Sequence, residues 1–130
     1  MYFFVGQNNL MHERRILLIE DEPSIAKPLI KLMKFRGYTL AWVQSADEAL
    51  EWLQDEKPTC LLIDVMLPGM NGWEFRKKQL QEASLNSIPA IFLSADTGSG
   101  PEANKRGEIF VAKPIDLDEL DRKLKSLLKD

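Results

Sequence analysis

Short, wholly apolar runs alternate along the chain with longer stretches in which apolar residues recur every three or four positions, from about residue 16 to the C-terminus. The two periods belong to strands and amphipathic helices, so the chain reads as a βα repeat. Residues 16–19 (ILLI), 60–63 (CLLI), 90–93 (AIFL) and Ile109–Ala112 are continuously apolar. Parallel strands covered by helices on both faces have this composition. Thr39–Val43 is less uniform and is expected to form a fifth strand at an edge.

The helical stretches carry start and stop signals. Ser45 precedes Glu48 by three residues, the capping-box spacing in which a hydroxyl and a carboxylate each satisfy a backbone N–H, and Ala49, Leu50 and Leu53 supply a buried stripe. This predicts a helix over 46–54. At the C-terminus Asp116 and Glu119 repeat the relation, and Leu117, Leu120, Leu124, Leu127 and Leu128 share one face. Charge there runs from acidic (Asp116, Asp118, Glu119) to basic (Arg122, Lys123, Lys125, Lys129), matching the helix dipole. A helix over about 24–36, closed by Gly37, contains Pro28, whose ring and missing N–H predict a distorted first turn. Another follows Asn71-Gly72 through Trp73, Phe75 and Leu80 to about Glu82, with 84–89 as a loop. Residues 96–101 (DTGSGP) are rich in helix breakers and leave only Glu102 to Arg106 for a short helix before Gly107.

Composition narrows the class. With 130 residues, 45% of them apolar, one domain with a real core is expected, without metal or disulfide staples. A net charge of −3 and a longest basic cluster of only Arg76-Lys77-Lys78 argue against direct nucleic-acid binding. Cys60 is the single cysteine, which excludes an intramolecular disulfide and fits a reducing compartment, the cytoplasm. The apolar opening, residues 1–6, is too short for a signal-peptide core, and no stretch is long enough to insert in a membrane. Residues 1–13 are expected as a disordered or extended tail, and 14–130 as the folded unit.

In a parallel α/β sheet ligands bind at the carboxyl ends of the strands. Those ends carry Glu20-Asp21-Glu22 after the first strand, Asp64 after the third, Ser94 after the fourth and Lys113-Pro114 after the fifth. Carboxylates about 4 Å apart repel by roughly 4 kcal/mol at an effective dielectric near 20. A cation relieves this, and oxygen ligands without His or Cys favour Mg²⁺, which usually keeps waters and shares a phosphate. The ligand inferred from the residues is a phosphoryl group.

The segments 16–23 (ILLIEDEP), 61–72 (LLIDVMLPGMNG), 92–95 (FLSA) and 110–115 (FVAKPI) resemble the receiver domain of two-component response regulators, of the stand-alone type, over the chain from about Arg15 to its end. The intervals are 43 residues from Asp21 to Asp64, 30 from Asp64 to Ser94 and 19 from Ser94 to Lys113. The resemblance implies a flavodoxin-like, doubly wound sheet of five parallel strands in the order 2-1-3-4-5, with helices on both faces and a shortened fourth helix. It further implies a signalling switch that catalyses only its own phosphotransfer and dephosphorylation. Asp64 resembles the phosphoacceptor, taking its phosphoryl group from a sensor histidine kinase or histidine phosphotransfer protein. Asp21 resembles the direct Mg²⁺ ligand, Glu20 a neighbour acting through water, and the backbone carbonyl of Met66 the remaining protein ligand beside Asp64. Lys113 and Ser94 resemble the residues that contact phosphoryl oxygens, and Ala95 leaves the site open to its donor. Ser94 and Phe110 stand at the switch positions: the serine moves inward and an aromatic side chain fills the vacated space. The Lys113-Pro114 bond is expected to be cis. Output to a downstream protein target, with a homodimer on phosphorylation, completes the implied partners.

Some positions depart from the family pattern. The interval from Ser94 to Lys113 is a few residues short, and Gly98 to Pro101 replaces part of the fourth helix, which bears on the output surface. Phe110 stands where tyrosine is common, keeping the bulk without the hydroxyl, and Met66 and Asp96 occupy positions that tune dephosphorylation in the family. Two other classes share some of these residues. A Mg²⁺-dependent phosphohydrolase working through an aspartyl phosphate usually has a second carboxylate two residues after the nucleophile, where Met66 stands, and needs space for a cap domain. A pseudo-receiver binds a partner without phosphorylation, against which the joint presence of Glu20, Asp21, Asp64, Ser94 and Lys113 argues. His12 falls in the tail, Cys60 reads as a small core residue, and Trp42, Trp52 and Trp73 read as packing residues. Since the receiver pattern fills the ordered chain, output is expected to pass through a partner protein unless the chain belongs to a longer one.

Overall fold

Residues 15–128 are described in a computed structural model. The expected tail of residues 1–13, with His12, lies outside the described residues. The elements alternate throughout: β1 (Arg15–Ile19), α1 (Pro23–Phe35), β2 (Thr39–Val43), α2 (Ala46–Trp52), β3 (Cys60–Asp64), α3 (Gly72–Gln81), β4 (Ala90–Ser94), α4 (Ser99–Arg106), β5 (Ile109–Ala112) and α5 (Leu117–Leu128). All strand pairs are parallel and the order is β2-β1-β3-β4-β5, with Thr39–Val43 at an edge as expected.

The apolar runs work because the pleat divides each strand between two cores. Ile16 and Leu18, Cys60 and Leu62, and Ile91 and Leu93 pack against Ala26, Leu29 and Met33 of α1 and Leu120 and Leu124 of α5. Their neighbours Leu17, Ile19, Leu61, Ile63 and Phe92 pack on the other face against Ala46 and Ala49 of α2 and Phe75 of α3. Each fully buried Leu or Ile side chain contributes about 1.5–3 kcal/mol of transfer free energy. The continuous runs are therefore a requirement of two-sided burial.

Helix boundaries follow local chemistry. Ser45 Oγ accepts from Glu48 N at 3.1 Å, whereas Glu48 Oε1 accepts from Gln44 N at 2.8 Å, so the box is closed one residue early; at its other end α2 stops at Trp52 with Leu53 as C-cap, short of the expected 54. Asn71 and Glu74 form a complete capping box on α3. Asp116 Oδ1 accepts from the N–H groups of Asp118 and Glu119 and starts α5. Helix α1 begins with Pro23 in its first turn and continues through Pro28. Pro28 and Ser24 are both exposed, so water can serve the Ser24 carbonyl that Pro28 leaves without an intrahelical donor.

One boundary is corrected. Helix α4 starts at Ser99, not Glu102, and has eight residues. Pro101 lies in its first turn, where backbone N–H groups have no intrahelical partner to lose. Gly100 fits because α4 lies close to β5: a Cβ there would sit 3.3 Å from Phe110 Cε2. The helix stops at Gly107 with φ +73, the left-handed conformation glycine tolerates.

Polar contacts fasten the layers. Buried Gln79 donates to the carbonyls of Leu85 and Ile88, holding the 84–89 loop on α3. At the outer edge of the sheet Lys123 Nζ of α5 donates to the carbonyl of Phe110 on β5 at 2.7 Å. Tyr38, after α1, donates its hydroxyl to Asp121 Oδ1 of α5 at 2.7 Å, and Arg36 pairs with Asp118 and Asp121. Burial raises the Asp121 carboxyl, but the Tyr38 hydroxyl and the nearby Lys125 and Arg36 outweigh it and hold the group below its ordinary 3.8. A carboxylate with a depressed folded-state pKa adds stability above its unfolded value and loses it as pH falls through the folded one. Asp121→Asn should therefore lower the unfolding free energy by about 1 kcal/mol at pH 7. Urea denaturation across pH should show the gap to wild type narrowing below 3.8.

Candidate functional site

Strand register brings the candidate residues to one rim. Ile19 pairs with Ile63, Ile63 with Phe92 and Phe92 with Phe110, so the next residues along β1 and β3, Glu20 and Asp64, emerge side by side. Glu20 N donates to the Val43 carbonyl and Trp42 Nε1 donates to the Glu20 carbonyl at 2.7 Å, which fixes the chain as it leaves β1. Gly72 allows α3 to start directly beneath the end of β3, where a Cβ would come within 2.6 Å of the Asp64 carbonyl oxygen. Lys113 N donates to the Ser94 carbonyl, so the chain beyond β5 stays in register with β4. The Lys113-Pro114 peptide is cis, as expected.

The side chains form a compact charged centre. Lys113 Nζ lies 2.6 Å from Glu20 Oε1 and 3.4 Å from Asp64 Oδ2, bridging the two carboxylates. The remaining oxygens are also used: Glu22 N donates to Glu20 Oε2 and Met66 N to Asp64 Oδ1. Glu20 is fully buried, Asp64 nearly so and Asp21 half-buried. Each of the three offers an oxygen within 4.8 Å of the others. An all-oxygen set this tight, with no His or Cys, fits a hard divalent cation. Met66 is 62% exposed and lines the same depression of about 690 Å³ as Asp21, Asp64, Ala95 and Lys113.

Burial dominates the electrostatics of Glu20, pushing its carboxyl up to about 7. The Lys113 hydrogen bond opposes that rise and the Asp64 charge adds to it. Burial also acts to depress the Lys113 ammonium, but its bond to Glu20 and the charges of Asp64 and Glu20 prevail and raise it.

Ser94 and Phe110 do not join this centre. Ser94 is buried with its Oγ turned to the start of α4, accepting from Asp96 N at 3.0 Å and from the Ser99 hydroxyl at 3.1 Å. Phe110 is half-buried, packed with the core that covers α2 and α3 and under Gly100 of α4. Ser99 and Gly72 are the contributors that sequence reading misses. Gly72 had a signal in the Asn-Gly pair before a helix, whereas Ser99 sat in a run read as loop. Trp73 packs on Phe92 with ring centroids 4.3 Å apart, and the Arg106 guanidinium lies over the Trp73 ring 4.8 Å from its centroid, so Trp73 has a packing role. Cys60 is a buried free thiol, raised to about 12 by burial. Among the described residues no helix is long and apolar enough to cross a membrane.

A flavodoxin-like sheet with an acidic cluster and a lysine converging at its carboxyl rim defines a receiver-type signalling module. The chain belongs to the response regulator receiver domain family, whose model matches residues 16–125. It is 31% identical over 117 residues to the response regulator Rre1 of Synechocystis, covering 87% of this chain and 51% of that protein. The chain spans about half the length of the curated relatives it matches. Among solved structures, the receiver domain of Francisella response regulator 1452 superposes with a TM-score of 0.77 at 27% identity, covering 89% of this chain and 97% of that one. The receiver domain of the sensor histidine kinase PA1611 from Pseudomonas aeruginosa, described with a magnesium ion coordinated in its active-site cleft, shares the fold at 23% identity with a TM-score of 0.80, covering 90% and 98%.

The raised Glu20 carboxyl has a measurable consequence. Where the folded-state pKa of a carboxyl exceeds its unfolded value, the unfolded chain gives up its proton first and gains on the fold, so stability falls as pH rises from 4.5 to about 7. In the presence of a chelator, wild type should lose stability relative to Glu20→Gln over that interval in urea denaturation, and the difference should be flat above it.

Proposed function

We propose that this chain is a phosphorylation-dependent signalling switch, with Asp64 as the phosphoacceptor and Mg²⁺ held by Asp21, Asp64 and the Met66 carbonyl, with Glu20 acting through water. The observation that carries the reading is the Lys113 ammonium bridging Glu20 and Asp64 beside a three-carboxylate cluster. An Asp64 oxygen attacks the phosphorus of a phosphohistidine on a sensor histidine kinase or phosphotransfer protein. The O–P bond forms as the N–P bond breaks, and its electron pair returns to a donor ring already protonated on its second nitrogen, which leaves as neutral imidazole. Mg²⁺, when bound, neutralises charge on the transferring oxygens. Lys113 gives up part of its bond to Asp64 to contact one phosphoryl oxygen, Ser94 turns to donate to another, and Phe110 follows into the vacated space. Hydrolysis of the acyl phosphate resets the switch, and the chain turns over no other substrate. Met66 is apolar where a phosphohydrolase of this chemistry needs its second carboxylate.

The receiver unit runs over 14–130 in this reading and acts in the cytoplasm, passing its signal to a downstream protein or to a second phosphorylated copy. Its donor docks beside Asp64, where Ile25, Pro28, Leu29 and Leu32 of α1 face Pro114 and Ile115 across the depression. Leu32 is 44% exposed and Phe35, one turn on, lies open to solvent, an apolar stripe suited to a helical partner that presents its histidine.

Intact mass after incubation with Mg²⁺ and a small acyl-phosphate donor tests the reading. Wild type should gain one phosphoryl group transiently and Asp64→Asn none. No gain in wild type would favour the pseudo-receiver, and rapid turnover of phosphate esters the phosphohydrolase. Leu32→Glu should slow transfer from a phosphohistidine protein by about tenfold, equivalent to roughly 1.4 kcal/mol, while leaving uptake from the small donor unchanged.

A further inference from the structure

We propose that Ser99 is a positioning residue for the switch serine: its hydroxyl holds Ser94 turned toward α4 in the unmodified protein, and passes to Asp96 when Ser94 leaves. The inference rests on reading Asp64 as the phosphoacceptor and Ser94 as a contact of its phosphoryl group. A serine hydroxyl has two acceptor lone pairs. Those of Ser94 are met by the Asp96 N–H at 3.0 Å and the Ser99 hydroxyl at 3.1 Å. Turning Ser94 Oγ away from α4 to donate to a group on Asp64, as the proposed switch requires, gives up both.

What makes the arrangement two-state is the second acceptor available to Ser99. At 2% exposure its hydroxyl has no route to bulk water, and a buried donor left without an acceptor is costly. Asp96 Oδ2 lies 3.4 Å from the same hydroxyl, so one hydrogen has two destinations. With Ser94 in place the hydrogen bonds Ser94. With Ser94 gone it turns to the carboxylate. Ser99 therefore opposes the departure of Ser94 by a single exchangeable hydrogen bond, and Asp96 keeps the switched state free of an orphaned donor. The same turn of α4 carries Gly100, whose Cα position would place a Cβ 3.3 Å from the Phe110 ring. Displacement of this turn is thus felt at both switch positions.

Beryllofluoride with Mg²⁺, a stable mimic of an acyl phosphate, separates this role from a merely structural one because the affected affinity should rise. Ser99→Ala should bind it up to about threefold more tightly than wild type, because the bond Ser99 loses at Ser94 is partly offset by the one it gains at Asp96. Ser99→Thr keeps the hydroxyl and should bind as wild type does. Asp96→Ala removes the second destination and should weaken binding by about the same factor, an effect that disappears when residue 99 is also alanine. Unchanged or weaker binding by Ser99→Ala, or tightening in Ser99→Thr as well, overturns the role of Ser99 while leaving Asp64 as phosphoacceptor. Failure of wild type itself to bind overturns the phosphoacceptor reading and the latch with it.

Discussion

Carboxylates held side by side repel, and in this molecule they are held by strands that have no freedom to move apart. Glu20 and Asp64 leave adjacent parallel strands whose register is set by fully buried Ile19 and Ile63. Separating the two charges would mean sliding one apolar strand past another and exposing a whole face of core. The repulsion is instead met locally by Lys113, delivered from the far side of the sheet by β5 and tied to β4 through its own backbone N–H. Core packing thus stores electrostatic tension at the rim, where an added cation or phosphoryl group changes the balance most.

The pleat gives this tension a direction. Ile109 and Val111 belong to the core beneath α1 and α5, whereas Phe110 belongs to the opposite core. Ser94 turns toward α4 through its contacts with Asp96 and Ser99. The charged centre opens on the depression beside α1, while the residues expected to respond to it lie on the other side of the sheet. The ends of β4 and β5 join the two sides: Ser94 accepts from Ser99 of α4, and its carbonyl accepts from Lys113 N.

Much of this was legible in the residues. Continuous apolar runs located four of the five strands, because two-sided burial selects such composition, and the less uniform Thr39–Val43 is the edge strand β2. The positions just beyond those runs located Glu20, Asp21, Asp64 and Lys113, because register aligns strand ends. The start of α4 was not legible: Gly98, Gly100 and Pro101 break helices in their interiors, yet a first turn has no hydrogen bonds for proline to remove, and Phe110 leaves space that glycine suits. Nor was the orientation of Ser94, since a hydroxyl chooses among nearby partners by tertiary proximity, and Ser99 became a partner only once its run was helical. Glu48 shows the same limit on a small scale, its carboxylate reaching Gln44 N instead of the neighbouring residue that the spacing implied.

The bond from Lys123 to the Phe110 carbonyl bears on how this sheet lives among other molecules. An edge strand presents free backbone acceptors to any passing extended chain, and β5 is such an edge. Here the carbonyl of Phe110 is already occupied, and a charged side chain from α5 lies across the approach. An invading strand would have to displace an ammonium before it could pair. The last strand is thereby kept from becoming a template for aggregation.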